Sequence, residues 1–294
     1  MPKILESPSR QQVYDRCPML YQLTYVDKWE QREAGNSLSA RLRGTAFARG
    51  VEVLHNCIKA GDTDLLVSKE FQQVAVDTAV GVFNTQYDYC VEQGVVFREG
   101  TKEACTSELQ RVIPLYALQT PLRTHWKVEH VEFTIEDYSC RPDLAGVTPD
   151  GFPFVGDIKY KSSLDSRWEN DTIEEYHYSA QFMQYAHAYR QYLGLSDDHT
   201  VYSYLFLVVG APFRIKSVGW VYGPEVHRTW LISAQEVSRD IVLLHEDEIP
   251  PRQAMTHRDK FGWCPMYKAC FEYHFDPELM QRDYVQLNLP DGGV

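Results

Sequence analysis

Two aspartates and a lysine raise the first question of chemistry. In the stretch RPDLAGVTPDGFPFVGDIKYKSS, residues 141–163, Asp143 follows Pro142, and Asp157 and Lys159 stand one residue apart. Short apolar runs separate these charges, and a turn at Pro149-Asp150-Gly151 divides the stretch into two strands. Strand residues alternate faces, so Asp157 and Lys159 point one way while Ile158 points into the core. A hairpin of this kind can bring Asp143 and Asp157 together at one end of a sheet. Two converging carboxylates repel each other unless a cation sits between them. Oxygen ligands with open coordination positions suit Mg²⁺ or Mn²⁺. A lysine beside such a metal can orient or help deprotonate water and stabilise charge on a phosphate. The combination fits metal-assisted phosphodiester hydrolysis. For the bare pattern, the alternative is a surface hairpin carrying a solvated Asp157–Lys159 pair.

The elements that would position these residues follow from periodicity. Apolar residues at helical spacing predict helices over about 9–27, 44–60, 65–93 and 101–119, with a polar connection after the first. The pattern then changes. Residues 126–138 alternate and are rich in β-branched and aromatic side chains, 139–148 and 153–162 supply the hairpin, and 200–210 is a continuous apolar run. A strand over 213–222 pairs beside it, and helices are expected over about 176–193 and 224–246, ahead of an aromatic-rich tail. The order implies an α/β (α+β) fold: a central mixed sheet flanked by helices, with a helical N-terminal portion.

These elements resemble the PD-(D/E)xK nuclease superfamily, and within it the RecB-type exonucleases and the CRISPR-associated adaptation nucleases. "PD" at 142–143 and "DIK" at 157–159 match the superfamily signature in its strand–turn–strand context. "SPSRQQVYDRCPMLYQLTYV", "RGTAFARGVE", the pair Gln181 and Tyr185, and "CPMYKAC" resemble further elements of that branch, in its order, over about residues 7–275. The resemblance implies a restriction-endonuclease-like core and a single nuclease domain over 1–294. Its helical part would cover about 1–120, its core about 121–250 and its C-terminal cysteine segment about 251–294. Asp143 and Asp157 would be metal ligands for Mg²⁺ or Mn²⁺, with the Ile158 carbonyl a third, and Lys159 the catalytic lysine. Gln181 and Tyr185 lie one helical turn apart and would position substrate; a helix face packed on the sheet is the plainer alternative.

Two departures from the family pattern stand out. Its glycine-led helix supplies a metal-binding histidine where this chain has Ala48. Glu52, one turn on, is the preferred substitute and His55 the second, both on a face they can share with Ala48. Iron–sulfur members also use four cysteines. Cys17, Cys264 and Cys270 match, but Phe261 takes the remaining position, so the ligand set is incomplete. Three readings stay open: packing cysteines without metal, an iron–sulfur cluster completed by another ligand, or a zinc site using His257 or His274.

Composition sets the bounds. An apolar content of 44% with 13% aromatics is that of a globular protein. No apolar run reaches the length of a membrane span and the N-terminus lacks a secretory h-region, so a cytoplasmic protein without membrane partners is expected. Seven scattered cysteines do not suggest a disulfide scaffold. The net charge of −12 argues against broad non-specific attraction to nucleic acid. A local groove is still conceivable from Arg41, Arg43, Arg49, Lys161, Arg167, Arg258, Lys260 and Lys268, with Trp168, Trp263 and Tyr267 for stacking. The partner implied by the resemblance is DNA, as single strands or ends. With no P-loop motif, unwinding would come from a helicase or recombination partner. A non-catalytic DNA-binding subunit and a site-specific endonuclease are the competing functions.

Overall fold

Pro18 decides how the chain begins. In a computed structural model describing residues 6–33, 36–244, 258–259 and 262–289, the helix expected over 9–27 is split. It becomes α1 (Pro8–Arg16), α2 (Pro18–Tyr21) and a π-helical turn over Gln22–Val26. A residue before proline is driven to extended geometry; Cys17 adopts φ −165° and ψ 112°, which ends α1. The polar stretch beyond holds a short strand, β1 (Trp29–Gln31), and α3 (Asn36–Ala60) starts earlier than its predicted position. Next come α4 (Lys69–Glu92), entered through a 3₁₀ turn and capped by the Ser68 hydroxyl on the Phe71 N–H at 3.3 Å, and α5 (Thr101–Gln119).

The sheet begins at β2 (Lys127–Val131), shorter than predicted because the backbone turns left-handed at Glu132, with φ +49°, and a 3₁₀ turn then takes Glu136–Tyr138. The hairpin is β3 (Leu144–Val147) and β4 (Pro153–Ser163). Gly151 makes its turn possible, with φ +85° and its N–H donating to the Thr148 carbonyl at 2.9 Å. The helix expected over about 176–193 is α7 (Ala180–Tyr192), preceded by a separate, unpredicted α6 (Glu169–His177); the two cross over to β5 (Tyr202–Ala211), and β6 (Arg214–Trp220) and α8 (Pro224–Leu244) follow. The order β2-β3-β4-β5-β6 makes a mixed sheet, parallel at β4–β5 and antiparallel elsewhere. The tail supplies β7 (Arg258–Asp259), β8 (Gly262–Trp263), α9 (Tyr267–Phe271), α10 (Pro277–Met280) and β9 (Tyr284–Gln286). β9 pairs antiparallel with β1, joining the two ends of the chain.

Alternation along the strands builds two cores. Leu144, Phe154, Ile158, Phe206 and Val208 face the apolar stripes of α3, α4 and α5. Ala145, Val155, Leu205, Leu207 and Val209 face α7. The fold is therefore α/β, a mixed sheet flanked by helices and consistent with a restriction-endonuclease-like core. A separate cluster gathers Cys17, Leu20, Trp29, Cys264, Cys270 and Tyr284 from both chain ends. Among the described residues no helix is long and apolar enough to cross a membrane.

Candidate active site

Register sets the geometry. The last β3–β4 pair is Leu144↔Gly156, so Asp143 stands opposite Asp157 one step further on. Both lie two residues along their strands from side chains that face α7, Ala145 and Val155. Gly156 leaves room for the Phe206 ring of β5 over this face, which a Cβ on it would meet at 2.8 Å. Beyond this pair β3 no longer covers the edge of β4. The Ile158 N–H is instead taken by the Asp143 carboxylate at 2.6 Å. In an extended strand the N–H and C=O of one residue leave on the same side, so the Ile158 carbonyl shares that open edge.

Lys159 Nζ lies 2.7 Å from Asp157 Oδ2 and 5.9 Å from the centroid of the Tyr176 ring. Asp157 is buried. Its other oxygen, Oδ1, accepts from the Gln181 amide at 3.1 Å, and the same amide donates to the Tyr185 hydroxyl at 2.8 Å. Tyr185 in turn donates to the Arg141 carbonyl at 3.2 Å. The helical spacing of Gln181 and Tyr185 thus brings both to the hairpin, where they brace Asp157 and the chain leading to Asp143.

A third acid, not among the candidates from the sequence, joins Asp143 and Asp157. Val131 pairs with Leu144, and the Glu132 N–H donates to the Asp143 carbonyl at 2.9 Å, so Glu132, Asp143 and Asp157 form one row across three strands. Glu132 is held by Arg141 at 3.0 Å. Its signal in the sequence was faint: one more glutamate in an alternating strand, at a residue with φ +49° that ends the strand pattern. Glu52, on α3, is paired with Arg49 at 2.9 Å and lies close enough to Glu132 to raise its carboxyl.

The charges are mutually strained. Burial, then Asp157 and Glu132, hold the Asp143 carboxyl well above the usual carboxylate range, against the pull of Lys159 and the Ile158 N–H. Burial works against the Lys159 ammonium, but Asp157, Tyr176 and Asp143 outweigh it and hold Lys159 above its ordinary value. Burial raises Glu132 as well, with Glu52 and Asp157 adding to it and Arg141 and Arg49 opposing. Two carboxylates with a free backbone edge suit Mg²⁺ or Mn²⁺, since Mg²⁺ is commonly held by one or two carboxylates and completed by water. Among the described residues no group of three or more His, Cys, Asp and Glu side chains is gathered to hold a metal.

The remaining candidates fall elsewhere. His55 is buried, 2.8 Å from the Tyr116 hydroxyl through Nε2, and burial pushes its imidazole down to about 3. Cys17, Cys264 and Cys270 share the cluster of the chain ends and none forms a disulfide. Phe261 and His257 lie outside the described residues, as do Lys260 and the side chains of Arg258 and Trp263. Most of the basic residues considered for a groove are paired: Arg41 with Glu30, Arg43 with Glu108, Arg49 with Glu52, Arg167 with Asp165 and Lys268 with Asp283. Beside the site lies a cleft of about 840 Å³, lined by Lys161, Trp168, Tyr176, Tyr178 and Gln181 among others. Trp168 and Tyr178 expose 60% and 73% of their surface there, too much for packing residues.

Comparison with known proteins adds one finding. The family model described as the PD-(D/E)XK nuclease superfamily matches residues 6–271. No curated protein matches the chain significantly.

Proposed function

The chain belongs to the PD-(D/E)XK nuclease superfamily, and on that premise we propose that it is a metal-dependent DNA nuclease of the RecB-type and CRISPR-adaptation-nuclease-like branch. The substrate we assign is DNA with an end or a single-stranded segment, cleaved exonucleolytically in repair, recombination or phage DNA metabolism. The observation that carries this reading is the placement of Asp143 opposite Asp157 with Lys159 2.7 Å from Asp157.

Asp143, Asp157 and the Ile158 carbonyl would hold Mg²⁺ or Mn²⁺. Bound there, the cation would supply Lewis-acid polarisation of a phosphodiester and acidify an attacking water. Lys159, kept protonated by its acidic neighbours, acts as a fixed positive charge and donor toward the phosphate. Gln181 and Tyr185 keep Asp157 in one orientation. The aromatic cleft suits unpaired bases stacking on Trp168 and Tyr178. Duplex opening would fall to a helicase or recombination partner.

The test uses purified wild type, Asp157→Ala and Lys159→Ala on end-labelled linear and on circular DNA, single- and double-stranded, with Mg²⁺, Mn²⁺ or EDTA. Wild type should shorten linear DNA from its ends with divalent metal, and both variants should lose this while melting cooperatively. Cleavage by either variant at the wild-type rate contradicts the assignment. Binding without cleavage by the wild type favours a DNA-binding subunit on a nuclease fold, and discrete products from circular DNA favour an endonuclease.

A further inference from the structure

On the N-terminal side of the molecule, away from the acidic row, lies a second hollow of about 240 Å³. Its walls include Arg10, Thr24, Tyr25, Lys28, Glu30 and Arg41, brought together from α1, the π-helical turn, β1 and α3. None of the residues that line it belongs to the catalytic hairpin or to the aromatic cleft.

Its charge runs against that of the chain. Three cations and one carboxylate line the hollow, in a protein of net charge −12. Arg41 uses Nη2 on Glu30 at 2.7 Å, while its Nε is buried with no hydrogen-bond partner among the described residues. Arg10 pairs with Glu6 at 3.3 Å and lies 5.3 Å from the centroid of the Tyr25 ring. Both guanidiniums act on the Tyr25 hydroxyl, pulling it down against a larger rise from burial, so their charges converge on it. Lys28 has no ion pair among the described residues; burial and Arg10 push its ammonium down, against a smaller opposing pull from Glu6. Like charges crowd here around a concavity, an arrangement that an anion would relieve.

The backbone holds Lys28 in place. Its φ is +61°, a left-handed geometry that a lysine seldom adopts. Its carbonyl accepts from the Leu287 N–H at 2.9 Å and the neighbouring Asp27 carbonyl accepts from the Gln286 amide at 3.0 Å, so the tail strand clamps the turn that carries it. A strained residue pinned by segments from both chain ends is consistent with a functional placement.

We propose that this hollow is a phosphate-binding site, occupied by a backbone phosphate of a nucleic-acid strand at a distance from the catalytic hairpin. The shared chemistry is a phosphate gripped by guanidinium and ammonium groups, with Thr24 and Tyr25 hydroxyls as further donors. The identity of the strand as nucleic acid rests on the nuclease reading above; the presence of a phosphate site does not. Gln12 and Arg10 lie two residues apart on α1, and Gln12 lines the aromatic cleft while Arg10 lines the basic hollow. One helix thus separates the two sites, and a strand engaged at both would pass across it.

The test compares the full-length wild type with Lys28→Asn, which removes the charge while suiting a left-handed backbone, and with Lys59→Gln as a control for loss of one surface charge. Anisotropy of a fluorescein-labelled single-stranded oligonucleotide is followed in EDTA over a salt series, so that no cleavage is involved. Lys28→Asn should weaken binding roughly 3–10-fold near physiological salt and lower the salt slope by about one ion, while Lys59→Gln should match wild type. In parallel, thermal shifts are read with inorganic phosphate and with thymidine 5′-monophosphate. Protection by either compound that is lost in Lys28→Asn, with strand binding unchanged, keeps the phosphate site and assigns it to a free ligand. Unchanged strand affinity, salt slope and thermal shifts in a folded Lys28→Asn overturn the proposal. The nuclease reading is judged separately, by cleavage with Asp157→Ala.

Discussion

His55 offers the sharpest test of how α3 is used, because its two readings predict opposite outcomes. In the structure its imidazole is buried against Tyr116 at 2.8 Å, and burial lowers it from 6.5 to about 3. A histidine that resists protonation only when folded stabilises the native state fully above its unfolded value and loses that contribution as the pH falls. At about pH 5 the unfolded chain binds roughly one proton at this site and the native chain almost none. The difference is about 1.4 kcal/mol for each of roughly 1.5 pH units below 6.5, or about 2 kcal/mol. His55→Gln keeps a side chain able to bond Tyr116 but does not titrate. Urea unfolding of wild type should therefore lose about 2 kcal/mol more than His55→Gln between about pH 7.5 and pH 5. Other buried histidines such as His227, which burial also lowers, to about 4, are present in both proteins and cancel in the comparison. The variant should cleave DNA at close to the wild-type rate at neutral pH. Parallel pH dependences for the two proteins refute the burial argument. Loss of cleavage in a well-folded His55→Gln would assign the imidazole to the metal.

Gln181→Leu removes both donors that brace Asp157 and Tyr185, so cleavage should fall about 10–100-fold or need correspondingly more Mn²⁺, the usual cost of losing a group that orients a metal ligand. A Mn²⁺ titration of initial rates checks it, and wild-type half-saturation with wild-type rate would show that Asp157 needs no such support. Asp143→Asn removes a carboxylate that burial and its acidic neighbours hold above the usual range, while an amide oxygen can still accept from Ile158. Ionisation of this group costs the native state stability as the pH rises through the carboxylate range. The variant in EDTA should therefore be more stable than wild type at neutral pH, on the order of 1 kcal/mol. That gap should close at low pH, and cleavage should be lost throughout; equal melting curves at every pH would refute the repulsion.

Much of the site was legible because it depends on local rules. Alternation placed Asp157 and Lys159 on one face, the Pro149-Asp150-Gly151 turn fixed the register, and a four-residue spacing put Gln181 and Tyr185 together. What escaped depends on contacts distant in sequence. Glu132 reaches the site through the β2–β3 register and a left-handed backbone residue, neither of which leaves a pattern. The basic hollow needs α1, β1 and α3 to meet, with β9 clamping a turn that lies far away in the chain. Pro18 was visible as a residue, but the helical spacing around it masked the break it imposes at Cys17. Ala48 marks a missing imidazole without saying what compensates; the structure places Glu132 and Glu52 near one another, each held by an arginine.

That arrangement explains why the open edge of β4 matters. A fully paired β3–β4 hairpin would satisfy Ile158 through the backbone and leave the two aspartates as a costly pair of like charges. Ending the pairing at Leu144↔Gly156 gives the Asp143 carboxylate a backbone donor at 2.6 Å. It also frees a carbonyl on the side where charge is concentrated. Lys159 and Gln181 then share Asp157, one oxygen each, which holds the second carboxylate buried and oriented. Repulsion along the row persists, as the raised Asp143 and Glu132 carboxyls show. A divalent cation would convert that repulsion into binding energy, since the cost of assembling the acids is already met by folding. Strain left in the protein and affinity offered to the metal are on this view the same free energy, so a substitution that relaxes the row should stabilise the chain and weaken cation binding together.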